Sequence, residues 1–222
     1  MMDRLIIACE VLRYELEYLG VNSAKCLFLP QGLHQSPSEL GLELQKAIKK
    51  AENDWNPRMV VLAYGRCGGG VIGLQAAKAV LRLPLADDCI SLLLGEGKKT
   101  NAETYYLSAG WVDFASDPYR QYLKLRDIYG EEDANWCSRE MMKGYKRICL
   151  IRNEAREAEN YWKYAGEMAG FFFLQTLQVD GNLNWLRRLV KGSGWKNLIK
   201  VPPGMPVREE HFQIADEHRR RF

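Results

Sequence analysis

MVVLAYGRCGGG, residues 59–70, is a near-continuous apolar run that stops at a glycine-rich turn. A parallel strand buried on both faces looks like this, because neither face alternates with polar residues. Upstream, residues 5–9 and 25–29 are two more short apolar strands. Residues 10–19 between them space Val11, Leu12, Leu16 and Leu19 as a helix does. Ser36 then caps a helix with Pro37 at its first position and Glu39 completing a capping box; it runs to about Glu52. Residues 71–80 are read as a further helix. This alternation of strand and helix predicts a parallel sheet.

The pattern continues downstream. Asp87 or Asp88 caps a short helix ending at Leu94, and residues 104–111 are extended. Asp117–Pro118 opens a pair of helices broken near Gly130. Strands are expected at 147–151, 171–179 and 197–201, with helices at 154–169 and 182–190. The expected fold is therefore α/β and Rossmann-like, with parallel or mostly parallel sheets and flanking helices. Residues 1–222 form a single domain, arranged as two similar lobes around a cleft, about 1–115 and about 116–222.

Composition narrows the function classes. With 31 basic against 28 acidic residues, the net charge of +3 is too balanced for a nucleic-acid partner. The basic runs at 98–99 and 219–221 are expected to be solvated, as are His211 and His218. No window approaches the ~18 apolar residues of a membrane helix, and no secretory leader is visible. The expectation is a cytoplasmic protein, for which a homodimer is the default assembly. Six cysteines in such a chain argue for thiols, metal or catalysis over disulfides.

Three of those cysteines and one histidine stand just past strand ends or at a helix start: Cys9, His34, Cys67 and Cys89. Parallel sheets place their chemistry at the carboxyl edge of the strands. Thiolates with imidazole are the ligand set of zinc, or of an iron–sulfur cluster. The turn around Cys67 is expected to aim backbone N–H groups inward and lower the thiol pKa. The helix start is expected to do the same for Cys89, against the neighbouring aspartates. Scattered ligands, one per loop, favour a catalytic centre over a structural one. Glu10, Tyr64, Gly65, Gly68, Asp88, Trp111 and Asp180 are expected around the pocket, with Tyr105 and Tyr106 as further walls and Asn153 and Gly204 across the cleft. Cys26 and Cys149 lie inside apolar strands and read as core, and Cys137 sits in a polar helix. GRCGGGVIG carries neither a Walker lysine nor a correctly placed G-x-G-x-x-G, which argues against a nucleotide loop.

The order ACEVL, LHQSP, YGRCGGG, DDCISLLLG and TYYLSAGW, followed by VDGNLNWLRRLVKGSGW and VPPG, resembles a family of bacterial and archaeal proteins of unknown function. Members are often encoded near corrinoid-dependent methyltransferase systems. Ser108 stands where a threonine is expected; the hydroxyl is kept. The resemblance implies that Cys9, His34, Cys67 and Cys89 act together in one-carbon metabolism, with a small-molecule substrate or a corrinoid protein as partner. Three functions follow as expectations: a zinc-dependent methyl-transfer protein, an iron–sulfur or thiol redox protein, and a non-catalytic carrier of metal or corrinoid.

Overall fold

The computed structural model describes residues 3–192 and 197–212. His218 and the basic run at 219–221 lie outside them.

Eight strands form two sheets. In the first, β1 (Arg4–Cys9), β2 (Cys26–Leu29), β3 (Met59–Ala63) and β4 (Val80–Pro84) are parallel, and β8 (Leu198–Val201) returns antiparallel along β4. The spatial order is β2-β1-β3-β4-β8. The second sheet is parallel: β5 (Thr104–Leu107), β6 (Arg147–Arg152) and β7 (Gln175–Asp180), in that order. The strand before residue 115 thus pairs into the second sheet, and the last strand returns to the first. Strand pairing crosses the expected lobe boundary twice.

The helices are α1 (Arg13–Tyr18), α2 (Pro37–Asp54), α3 (Cys89–Leu94), α4 (Ala109–Phe114), α5 (Pro118–Tyr129), α6 (Glu131–Met141), α7 (Glu159–Phe172) and α8 (Asn184–Lys191). β1 and β3 are buried almost throughout. α2 turns Leu40, Leu44, Ile48 and Ala51 inward and packs on β1; α8 packs on β3 and β4 through Leu186 and Leu189. Caps fix the helix starts as read from sequence. Ser36 accepts the Glu39 N–H, Asp88 that of Ser91, and Asp117 those of Tyr119 and Arg120. Among the described residues no helix is long and apolar enough to cross a membrane.

Three segments differ from the expectation. Residues 71–79 are turns and bends instead of a helix, and lead straight into β4, a strand the sequence hid. The backbone N–H groups of Ala77, Lys78 and Ala79 donate to the Glu52 carboxylate (3.0, 2.6 and 2.8 Å). That side chain takes the place of a helical ladder. β4 escapes notice because Arg82 interrupts its apolar run, although Arg82 is itself buried. The second difference is at 171–174. Phe171 and Phe172 complete α7, whose buried face is Ala165, Met168, Ala169 and Phe172, at helical spacing. Phe173 then leaves the helix at φ 58°. Finally, residues 104–111 are extended only to Leu107, where Ser108 caps α4.

Candidate functional site

The strand order of the first sheet reverses between β1 and β3, since β2 lies on one side of β1 and β3 with β4 on the other. Crevices for ligands open at the carboxyl edge of such a reversal. Cys9 ends β1 there, and Tyr64 follows β3.

The turn after β3 is locked to the turn after β4. Arg66 N–H donates to Ala86 O and Cys67 N–H to Asp87 O, both at 2.8 Å. Gly65 is required: a Cβ there would stand 2.4 Å from the Asp88 nitrogen. Cys67, Gly68 and Gly69 all hold positive φ (48°, 65° and 96°), so the turn folds on itself. Gly69 and Gly70 N–H bond back to Arg66 and Cys67. The result is one rigid rim carrying Cys67, Asp87, Asp88 and Cys89.

A cavity of about 660 Å³ lies against this rim, within the size range of small-molecule sites. Cys9, His34, Tyr64, Cys67, Gly68, Asp88, Cys89 and Trp111 line it. Glu10 and Gly65 stand behind the wall: the Glu10 carboxylate accepts the Gln31 N–H (2.9 Å), and Gly65 abuts Asp87 and Asp88. Asp180 lies elsewhere, paired with Arg152 in an exposed position. Asn153 donates to the buried Glu15 (2.9 Å), and the Gly204 carbonyl accepts from Gln75.

Of the opposite wall, the sequence reading holds only Tyr105 and Tyr106. That wall comprises residues 100–102 and 104–106 with Tyr145, which precede or begin β5 and β6. The second sheet therefore meets the cavity with the amino ends of its strands. Asn153 and Asp180 stand at the carboxyl ends of β6 and β7, away from this edge of the second sheet, and Gly204 follows β8, whose antiparallel course carries its end away from the carboxyl edge of β4. The rings of His34, Trp111, Tyr105 and Tyr145 meet in sequence at near-perpendicular angles, with centroids 5.6, 6.5 and 5.5 Å apart.

The metal reading is overturned. Among the described residues no three His, Cys, Asp or Glu side chains are placed to hold a metal ion. Zinc, the iron–sulfur alternative and the methyl transfer built on zinc have no ligand set here. The free thiols are also held protonated. Burial pushes Cys9 up to about 11, and nearby Glu10 adds to the rise. Burial, then Asp88, pushes Cys67 up to about 12. Cys89 is raised well above its ordinary value by burial, by the other two sulfurs and by Asp88. Neither the glycine turn nor the start of α3 lowers a thiol: loss of water and carboxylates outweigh them. The His34 Nδ1 is engaged with the carbonyl and side chain of Gln31 (2.7 and 2.8 Å).

Neutral thiols have a measurable consequence. At pH 7.5 an aromatic disulfide reagent is expected to modify Cys67 about a hundredfold more slowly than free cysteine, the scarcity of thiolate being partly offset by its greater nucleophilicity. The rate should still be climbing about tenfold per pH unit at pH 10, where that of free cysteine has levelled off. Peptide mapping of the time course reads this, and a Cys67 rate equal to that of free cysteine at pH 7.5 contradicts it.

Two buried donors at this cavity have no partner: the hydroxyl of Tyr64 (4% exposed) and the indole N–H of Trp111 (9% exposed). The Trp111 N–H is near enough to Cys89 to oppose the rise in its pKa, yet falls short of a full hydrogen bond. The Tyr64 hydroxyl senses all three sulfurs and Glu10, and is raised well above its ordinary value, chiefly by burial. Unpaired buried donors cost about 1–3 kcal/mol each, so a pair at one cavity calls for an explanation.

Fold and cavity together define an α/β protein with an aromatic, thiol-floored cavity at the strand-order reversal of a mostly parallel sheet. The chain belongs to the family described as protein of unknown function, DUF1638, whose model matches residues 28–190. No curated protein and no solved structure matches it.

Proposed function

We propose that this protein binds a small organic molecule in the cavity between the rim of the first sheet and the amino ends of β5 and β6. The observation that carries this reading is a preformed cavity of ligand size whose wall includes Tyr64 and Trp111, the two residues with unpartnered buried donors, Oη and Nε1. Native proteins leave few buried donors unpaired. A bound molecule with an acceptor atom supplies what the free protein lacks. The rigid rim, held by Gly65 and the bonds to Ala86 and Asp87, keeps the cavity open without ligand, which lowers the ordering cost of binding. The thiols, protonated at neutral pH, act as polarizable surface.

Tyr64→Phe tests the reading because stability and binding should move in opposite directions. Removing an unpaired buried hydroxyl leaves the melting temperature of the free protein unchanged or raises it. Affinity for molecules found by a thermal-shift screen of metabolites should fall about tenfold. A loss of stability without loss of affinity means that Tyr64 is only core, and a silent screen removes the binding reading altogether.

A further inference from the structure

The charges around the cavity are unbalanced, and this bears on the class of ligand. The inference rests on the binding reading above. Arg66 is the one arginine on the wall and there is no lysine. Its guanidinium is spent on Glu209, with contacts of 2.7 and 3.3 Å. Asp87 is exposed at the rim and makes no ion pair among the described residues. Asp88 receives both the N–H and the hydroxyl of Ser91 on Oδ1, each at 2.8 Å, and itself lines the cavity. Two carboxylates, Glu10 behind the wall and Asp88 on it, both act to raise the pKa values of groups at the floor. An anion entering this cavity meets carboxylates and no unpaired cation.

The aromatic wall has the same preference. His34, Trp111, Tyr105 and Tyr145 all line the cavity, and an aromatic face attracts positive charge. Trp111 belongs to both features: its ring is part of the wall, and its N–H, a donor only, requires an acceptor.

We propose that the ligand is an organic cation that also carries a neutral hydrogen-bond acceptor, its charged end held between Asp87, Asp88 and the aromatic rings and its acceptor turned to Trp111 and Tyr64. An ammonium or amidinium joined to an amide, ester or ring-nitrogen group has this chemistry. Carboxylates and phosphates are excluded by the same charges.

A charge series on one scaffold tests this by calorimetry on the full chain. 4-(Aminomethyl)benzamide, 4-methylbenzamide and 4-carbamoylbenzoate share the amide acceptor and differ in being cationic, neutral and anionic. The cation is expected to bind about tenfold more tightly than the neutral member, and the anion most weakly. Asp88→Asn keeps a capping side chain for α3 and should narrow the gap between cation and neutral compound to about threefold. A neutral or anionic member that binds as tightly as the cation overturns the assignment and leaves the binding reading standing. Silence from all three also overturns the cation assignment. It reaches the binding reading only if the metabolite screen is silent too.

Discussion

Gly110→Ala should unfold the protein or cost it about 4 kcal/mol or more, the range of the most damaging core substitutions. Gly110 lies in the first turn of α4, where a Cβ would stand 1.9 Å from the Val11 carbonyl oxygen and 2.7 Å from its carbon. Both neighbours are backbone, so no rotamer change relieves the contact. Val11 follows Glu10 and the Cys9 end of β1, while Gly110 precedes Trp111. The glycine is thus where the aromatic wall is pressed against the first sheet. Gly166→Ala is the control, because nothing lies within 4 Å of a Cβ at that position in α7. It should stabilise by about 0.5–1 kcal/mol through helix propensity. Denaturant midpoints measure both. A Gly110→Ala protein as stable as wild type would mean that α4 does not sit on the β1 turn.

Glu52→Ala should cost about 3 kcal/mol, since it strands three backbone N–H groups of which that of Ala79 is fully buried. The same carboxylate gives an acid dependence. Burial alone would raise its pKa, but the three N–H donors outweigh burial and hold it below the ordinary value of 4.5. A carboxyl depressed in the folded state contributes stability that is full above its unfolded pKa and fades as the pH falls through the folded one. Wild type should therefore lose stability on acidification below about pH 4.5, and Glu52→Gln should lose less over that window. Parallel urea titrations at pH 7 and pH 3.5 read the difference. Equal acid losses in the two proteins would exclude Glu52 as the group responsible.

Glu52 also shows where reading from sequence stops. Strands with uniform apolar runs, MVVLA and LIIAC, and helices with a capping side chain and proline, Ser36–Pro37 and Asp117–Pro118, were legible because their signals are local. The stretch 71–84 was not. Its alanines favour helix, but a carboxylate about 25 residues away in the chain holds the backbone in a non-helical bend, and a buried arginine disguises the strand that follows. The carboxyl-edge rule found Cys9, Cys67 and Cys89 around one cavity, together with Tyr64 and Trp111. Tyr105 and Tyr106 were legible as aromatic walls, but Tyr145 and residues 100–102 and 104 were not, because the second sheet arrives with its amino ends foremost, and strand order and sheet orientation leave no mark on local sequence. Convergence of thiols was read as a metal centre. Desolvation and neighbouring carboxylates keep those thiols protonated, and both depend on tertiary packing.

The central claim, that this cavity binds a small molecule through Trp111 and Tyr64, is tested most directly by the indole N–H resonances of the protein labelled with nitrogen-15. Trp111 is assigned by its disappearance in Trp111→Phe. Exposed Trp136 and Trp162, 68% and 40% exposed, report binding at other surfaces. The account predicts that molecules selected by the thermal-shift screen move the Trp111 resonance downfield as its N–H gains an acceptor, and leave Trp136 and Trp162 in place. Ligands that bind without moving Trp111 would contradict it.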